Sequence, residues 1–345
     1  MQEKKRRRRL LVGLAVFLAL TAFLLYFVQQ MDPDVFVILS DLPLYALGLL
    51  FALGFFYNAM EAAVCHSIFR DRIPHFTMGK ALDVTYLGVF GNVTTLAAGS
   101  APMQSFYLYR PGLSIGSGMG LMTLEYVFHK ASVLVYTTLL MVVHLGWLGD
   151  TLPAITPYLL ASYGVCLAII TTLVLLCTWG RVRDLAERLI ALLPDKGRLT
   201  GWKQAWRTNL EQLYTESQKL LHSRGTVVRI LLINWVKLAG LYAIPWVGLQ
   251  LLGLPTDSFF QVQLLTALMH LISNALPNVA GMGSIEVSFY LIFSGYVGEQ
   301  TMALLILYRL ATYYFPFFLS CFWFAVVQHK LFYKTTPNPQ PTHLS

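Results

Sequence analysis

Charged residues are scarce in this chain. Asp, Glu, Lys and Arg make up 12% of its 345 residues, whereas hydrophobic residues make up 56%, and the mean hydropathy is +0.60. A soluble globular domain carries about twice this charged fraction, so the composition excludes a soluble enzyme and a nucleic-acid-binding domain. The hydrophobic residues fall in runs of about 18 or more, long enough to cross a hydrocarbon layer of roughly 30 Å. We therefore predict an all-α polytopic membrane protein.

Cysteines and catalytic motifs are also scarce. The four cysteines are too scattered along the chain for a zinc site or a secreted disulfide framework. The sequence has no nucleotide-binding glycine loop, no His/Glu metal motif and no nucleophile elbow. We therefore expect no cofactor, no metal and no catalytic residues. Without an ATP-binding motif, any transport must run downhill or draw on an ion gradient.

Positive charge is present in excess and predicts the orientation in the membrane. The chain has 25 Lys and Arg against 17 Asp and Glu, and such an excess marks the cytoplasmic face. A basic run at residues 4–9 precedes an apolar segment at 10–28 that lacks a small-residue cleavage site. We interpret this segment as an uncleaved first span with its basic end in the cytoplasm.

Two of the apolar segments are interrupted by residues that break helices. If residues 81–100 crossed the membrane once, the basic stretch 179–229 would lie outside, against the charge bias. If both interrupted segments are instead re-entrant, every Lys and Arg outside the spans lies on the cytoplasmic side. The breaks contain Gly99 and Pro102 in one segment and Pro277, Gly281 and Gly283 in the other.

We therefore predict a single membrane domain over residues 1–345, with six full spans and two hairpins that dip in from opposite faces. Both termini are predicted to be cytoplasmic. The expected parts are a tail at 1–9, a first half at 10–178 with a hairpin at 81–112, a cytoplasmic amphipathic segment at 179–227, a second half at 228–328 with a hairpin at 258–297, and a tail at 329–345.

The two halves resemble each other at a shift of about 183 residues. Asn92 corresponds to Asn274, and the Ser-Phe-Tyr-Leu sequences at 105–108 and 288–291 correspond as well. Because the two hairpins enter from opposite faces, this similarity predicts an inverted-topology repeat. Transporters use such repeats, with their binding site between them near the middle of the membrane.

The residues around both breaks also resemble a known family, the flippase-like membrane domain of lysylphosphatidylglycerol synthase (the multiple peptide resistance factor) and its stand-alone relatives. The first motif is carried by Ala98-Gly99-Ser100-Ala101-Pro102, Tyr107-Leu108, Arg110, Gly112 and Glu125. The second is carried by Pro277-Asn278-Val279-Ala280-Gly281-Met282-Gly283-Ser284-Ile285-Glu286 and Tyr308-Arg309.

This resemblance implies a function and a location. It implies a flippase that moves an anionic phospholipid or lipid-linked headgroup between leaflets of a bacterial-type cell membrane, in the context of antimicrobial peptide resistance. The soluble aminoacyltransferase domain of the synthase has no counterpart in this sequence, so we do not expect lysyl transfer by this chain. Two alternatives stay open: an intramembrane lipid-modifying enzyme, and a scaffold for a separately encoded synthase, lysyltransferase or glycosyltransferase.

Ionisable residues inside the spans are the main candidates for the site. Each costs about 2.5 to 3.5 kcal/mol to insert, so it is a functional candidate by default. The alternative interpretation is that these residues pair with one another, Arg309 with Glu286 or Lys130 with Glu125 of a neighbouring turn. Without histidine the set has three cations and two acids, an excess that suits one phosphate. The set comprises Glu125, His129, Lys130, Lys237, Glu286 and Arg309.

The breaks supply the remaining candidates. A helix that begins inside the membrane presents unpaired N–H groups, which attract phosphate. Ser100 and Ser284 are expected to cap such helices. We also expect the glycines of the second break and the asparagines of both halves to contact the headgroup. These further candidates are Asn92, Asn274, Gly281 and Gly283.

Overall fold

The computed structural model of the chain describes residues 18–19, 21–22, 26, 35–95, 99–109, 113, 115–192, 198–256, 258–276 and 282–333. Over these ranges the chain forms helices joined by short turns and contains no β-strand, as predicted. Several features named from the sequence lie outside the described residues. These are the basic tail, most of the first predicted span at 10–28, Arg110, Gly112, Gly281 with the four residues before it, and the chain after 333.

A short 3-10 turn at Gly298–Gln300 and a π-helical turn at Leu310–Tyr314 flank the helix at Thr301–Arg309. In chain order the helices are α1 (Val35–Ser40), α2 (Leu44–Phe69), α3 (Met78–Thr94), α4 (Ser100–Tyr109), α5 (Ile115–Thr151), α6 (Thr156–Thr178), α7 (Gly180–Ala191), α8 (Arg198–Leu221), α9 (Arg224–Leu251), α10 (Phe259–Ala275), α11 (Ser284–Val297), α12 (Thr301–Arg309) and α13 (Phe315–Tyr333).

Five helical stretches among the described residues are long and apolar enough to cross a membrane, so the chain is a multi-pass membrane protein. The helices beside the two breaks are shorter. The 10 residues of α4 span about 15 Å, half of the hydrocarbon thickness. The five stretches are Leu44–Phe69, Gly116–Thr151, Thr156–Thr178, Arg224–Leu251 and Ser284–His329, the last of which contains α11 to α13.

Helices α3 and α4 form an antiparallel pair on either side of the first break. Close to the break, a Cβ placed on Gly91 would come within 2.7 Å of the Gly99 carbonyl oxygen. Farther from it, the Gln104 side-chain amide donates to the Val84 carbonyl over 3.3 Å, and the Tyr107 hydroxyl donates to Asp83 over 2.8 Å. The chain therefore turns back on itself at this break. Glycine permits the close approach, because any side chain at Gly91 would meet backbone.

The second break has the same arrangement of helices. Helices α10 and α11 pack against each other on either side of it. Helix α10 has 17 residues, as α3 has, and both α4 and α11 begin at a serine. The helices that precede the two pairs, α2 and α9, are antiparallel neighbours, because Gly240 meets Phe56 and Lys237 meets Glu61. The order of elements in the first half thus recurs in the second.

Helix α5 connects two distinct ends of the molecule. Its 37 residues correspond to about 55 Å of helix, with non-helical backbone angles at His144. Near its start, Gly116 lies against Gln212 of α8. Near its end, the ring of Trp147 contacts that of Tyr296 edge to face, with centroids 6.2 Å apart. The first helix pair packs beside the first half of α5, where Gly118 approaches Ser105, and α11 reaches its far end.

The segments predicted to be cytoplasmic meet at the α8 end of the molecule. Arg72, in the turn between α2 and α3, forms an ion pair with Glu216 of α8 over 2.5 Å. The Gln218 side-chain amide donates to the Cys177 carbonyl of α6 over 3.2 Å. Helix α8 is therefore packed into the bundle, whereas α7 leaves Leu185 and Leu189 exposed.

Candidate functional site

A cavity of about 120 Å³ lies between the second helix pair and helices α2, α9 and α12. This volume is several times what one buried water needs. Its wall is mixed, with a guanidinium, an imidazole and hydroxyl groups among apolar side chains. The lining residues are Gly54, Tyr57, Leu241, His270, Ile285, Tyr308, Arg309 and Thr312.

Arg309 and Glu286 form a buried ion pair at this cavity. The Nε of Arg309 donates to Glu286 Oε1 over 2.8 Å, and Nη2 donates to the same oxygen. The guanidinium carbon also lies 5.0 Å from the ring centre of Tyr313, a cation–π distance. Arg309 is 3% exposed. The pairing of Arg309 with Glu286, one of the alternatives left open by the sequence, is therefore present in the structure.

The second break ends at a glycine that the backbone conformation requires. Gly283 has φ +99°, a value that other residues rarely adopt. It occupies the N-cap of α11, and its N–H donates to Glu286 Oε2 over 2.7 Å. A glutamate at this position of a helix commonly reaches back to the cap in this way. The predicted cap, Ser284, is instead the buried first residue of the helix, so that prediction is wrong by one residue.

His270 was not named from the sequence, and Tyr308 was named only as part of the second motif, although both line the cavity. The Nε2 atom of His270 lies 2.7 Å from the Tyr308 hydroxyl oxygen, within hydrogen-bonding distance. The sequence did indicate His270, because it is an ionisable residue within the apolar segment 258–297. These two groups add hydrogen-bonding capacity beside Arg309.

Lys237 pairs with Glu61, a residue that the sequence interpretation left inside an apolar span. The Lys237 ammonium donates to Glu61 Oε2 and lies 5.7 Å from the ring centre of Tyr57. Its side chain is 1% exposed and that of Glu61 30%. Glu125 lies within electrostatic range of both. Adding Glu61 gives three acids and three cations, so the positive excess inferred from the sequence disappears.

Lys130 joins the two halves of the molecule. Its ammonium donates to the Asn274 side-chain oxygen over 2.6 Å, linking α5 to α10, and lies 5.1 Å from the ring centre of Tyr126. The pairing of Lys130 with Glu125, an alternative left open by the sequence, is not present. Because Asn274 belongs to a different helix, the helical spacing of Lys130 did not indicate this contact.

The candidate residues on the first helix pair do not line the cavity. Asn92 is half-buried on α3. Ser100 is the first residue of α4 rather than its cap, because the Gly99 carbonyl accepts from the Met103 N–H over 3.1 Å, so this prediction is also wrong by one residue. Asp83, which was not named from the sequence, is buried and accepts hydrogen bonds from Tyr107 and, over 2.7 Å, from the indole N–H of Trp323. These contacts attach the first helix pair to α13. Within the described ranges, no group of three or more His, Cys, Asp or Glu side chains is placed to bind a metal.

The fold and the buried ion pairs define a multi-pass membrane protein with ionisable groups inside its membrane helices. The family model described as the lysylphosphatidylglycerol synthase TM region matches residues 10–320. The chain therefore belongs to this family, as the resemblance of its two breaks indicated. No match is found among curated protein sequences.

Proposed function

We propose that the protein moves an anionic phospholipid, or a lipid-linked molecule with an anionic headgroup, between the two leaflets of a bacterial-type cell membrane. This proposal rests on one observation: the buried guanidinium of Arg309 lines a cavity among the membrane helices. Arginine stays charged and binds phosphate through two parallel N–H groups. The lipid tails remain in the bilayer while the headgroup passes along the cavity.

The arrangement of the two helix pairs supports transport. In inverted-repeat transporters, short helices begin inside the membrane and point their N-termini at anionic substrates. The α3–α4 and α10–α11 pairs have matching elements, and α2 and α9 that precede them are antiparallel. The segregation of the α8 end from the Trp147–Tyr296 end supports six spans, two oppositely inserted hairpins and cytoplasmic termini.

The ion pair with Glu286 suggests how a phosphate is received. In the resting arrangement Glu286 satisfies Arg309 and the N–H of Gly283 together. An arriving phosphate takes the place of the carboxylate on Arg309, and His270 and Tyr308, which line the same cavity, donate hydrogen bonds to it. Exchange of one anion for another keeps the buried guanidinium paired throughout, which avoids the cost of an isolated buried charge.

Reconstitution into liposomes tests this function. A fluorescent phosphatidylglycerol analogue is incorporated, and a membrane-impermeant quencher reports the fraction that reaches the outer leaflet over time. We expect exchange with the wild-type protein and slower exchange with Arg309→Lys, because lysine offers a point charge without the planar fork. Arg229→Lys, at an exposed position of α9, is the matched control. Exchange no faster than in protein-free liposomes would refute transport of this lipid.

A further inference from the structure

Three ionisable side chains from three helices meet beside the cavity without lining it. Glu61 comes from α2, Lys237 from α9 and Glu125 from α5. Lys237 is fully buried and Glu125 is 8% exposed. Lys237 donates to Glu61, and Glu125 lies within electrostatic range of both residues. We call Glu61, Lys237 and Glu125 the triad.

The charges of the triad do not balance unless it carries a proton. One ammonium can neutralise one carboxylate, and Lys237 already donates to Glu61. Among the described residues, no side chain donates a hydrogen bond to Glu125. A buried carboxylate without a partner is strongly unfavourable in its charged form. With one proton on either carboxyl group the triad is neutral, and without it the triad carries one negative charge.

The groups around the triad offer no second cation to Glu125. Lys130, one turn along α5, is engaged with Asn274 instead. The remaining titratable groups that face Glu125 or the pair beside it are hydroxyl, thiol and imidazole groups. They are Tyr57 and Cys65 of α2 and His129 of α5. Beyond them, Tyr242 of α9 and Tyr308 of α12 lie within range of Tyr57, and His270 of α10 lies within range of His129.

Two buried polar groups lie one helical turn from the triad. Asn234 precedes Lys237 by three residues and His129 follows Glu125 by four, so each shares a helix face with a triad member. The side chains of His129 and Asn234 lie within interaction range of each other, and neither His129 Nδ1 nor the Asn234 side-chain oxygen is bonded to any other described residue. The imidazole and the amide therefore extend the polar groups of the triad along α5 and α9.

We propose that the triad binds one exchangeable proton and couples its movement to that of the lipid headgroup. The coupling rests on the proposed transport function. Tyr57 provides the link, because its ring faces Lys237 and also lines the cavity. A protonated, neutral triad admits an anionic headgroup, whereas a deprotonated triad repels it. The proton comes from water on one side and returns to water on the other, so only O–H bonds form and break.

Infrared spectroscopy of the purified protein tests the proton site without transport. We expect a carboxylic acid C=O band that appears and disappears with pH in the wild type. Glu125→Gln and Glu61→Gln should each abolish it, because each leaves one carboxylate paired with Lys237. Asp83→Asn, which alters a buried carboxylate held by Tyr107 and Trp323, should keep it. A band that survives in both glutamine variants would overturn the proposal. If either variant fails to fold, Glu125→Asp should retain the band at a shifted position.

A pH gradient across the liposome membrane tests the coupling. In the wild type, lipid exchange should be several-fold faster with the gradient than without it. In Glu125→Gln, the two rates should be equal. If the rate of wild-type lipid exchange is the same with and without the gradient, the coupling is overturned and the transport function stands. If the infrared band behaves as expected but no lipid moves, the transport function fails and the proton site stands.

Discussion

Arg309 donates from both Nε and Nη2 to one oxygen of Glu286, and the other oxygen of that carboxylate accepts the N–H of Gly283. A single carboxylate thus connects α12 to the first turn of α11, immediately after the second break. The position of the guanidinium at the cavity therefore depends on the geometry of this break. Substitutions at the pair should affect both the stability of the fold and the headgroup site, and the two effects are separable.

Arg309→Gln should destabilise the protein by about 3 to 5 kcal/mol, because it leaves Glu286 buried without its cation. Adding Glu286→Gln removes the unpaired charge, so the double variant should recover most of the stability. Lipid exchange should stay low in both, because neither carries the guanidinium. Unfolding in detergent and exchange in liposomes measure the two effects. Restored exchange in the double variant would make the pair structural and remove Arg309 from the headgroup site.

Gly54 lets α2 approach the π-helical turn that follows Arg309. A Cβ at Gly54 would overlap the Ala311 carbonyl oxygen, which is backbone and cannot rotate away. Gly54→Ala should therefore destabilise the protein by about 1 to 3 kcal/mol. Gly48, on the same helix, has nothing within 4 Å of its Cβ position, so Gly48→Ala should be neutral or slightly stabilising. Equal thermal unfolding temperatures for the two variants would contradict this account of the contact.

The hydrogen bond from Tyr107 to Asp83 should contribute measurably to the anchoring of the first helix pair. Tyr107→Phe removes a donor to a buried carboxylate, a loss of roughly 1.5 to 3 kcal/mol. Tyr109→Phe changes the same atom two residues away at an exposed position and should cost at most about 0.5 kcal/mol. Chemical unfolding in detergent compares them. A loss in Tyr109→Phe as large as that in Tyr107→Phe would show that the Asp83 contact is not the cause.

Local rules predicted the helix breaks and several of the buried charges. Gly99, Pro102 and Gly283 disfavour a continuous helix for steric reasons, and the structure has breaks beside them. The pairing of Arg309 with Glu286 was one alternative that the sequence left open, because both residues lie in apolar segments. Glu61 and His270 were overlooked, although the same rule applies to them, since each is an ionisable residue within an apolar segment.

The partners of the other charged residues depend on tertiary packing, which local sequence rules do not predict. Lys237 and Glu61 are 176 positions apart, and their contact requires the register between α2 and α9. Lys130 and Asn274 are 144 positions apart and meet because α5 packs on α10. The sequence offered Glu125, on a neighbouring turn of α5, as one partner for Lys130. The sequence thus identified the charged residues within the apolar segments, whereas the tertiary structure determines which of them form pairs.

The last prediction concerns the side of the membrane on which the first helix pair opens. In a cysteine-free variant, single cysteines at Tyr109 and Asp184 should react with an impermeant thiol reagent only from the cytoplasmic side, and one at Asp150 only from outside. Tyr109 and Asp184 are exposed near the end of the molecule that contains α8, and Asp150 is exposed at the opposite end. Inside-out and right-side-out vesicles distinguish the two sides. Because the loop bias for Lys and Arg predicts that α7 lies inside, Asp184 serves as the internal reference. Labelling of position 109 from outside, with 184 still labelled from inside, would mean that residues 78–109 cross the membrane rather than turn back within it.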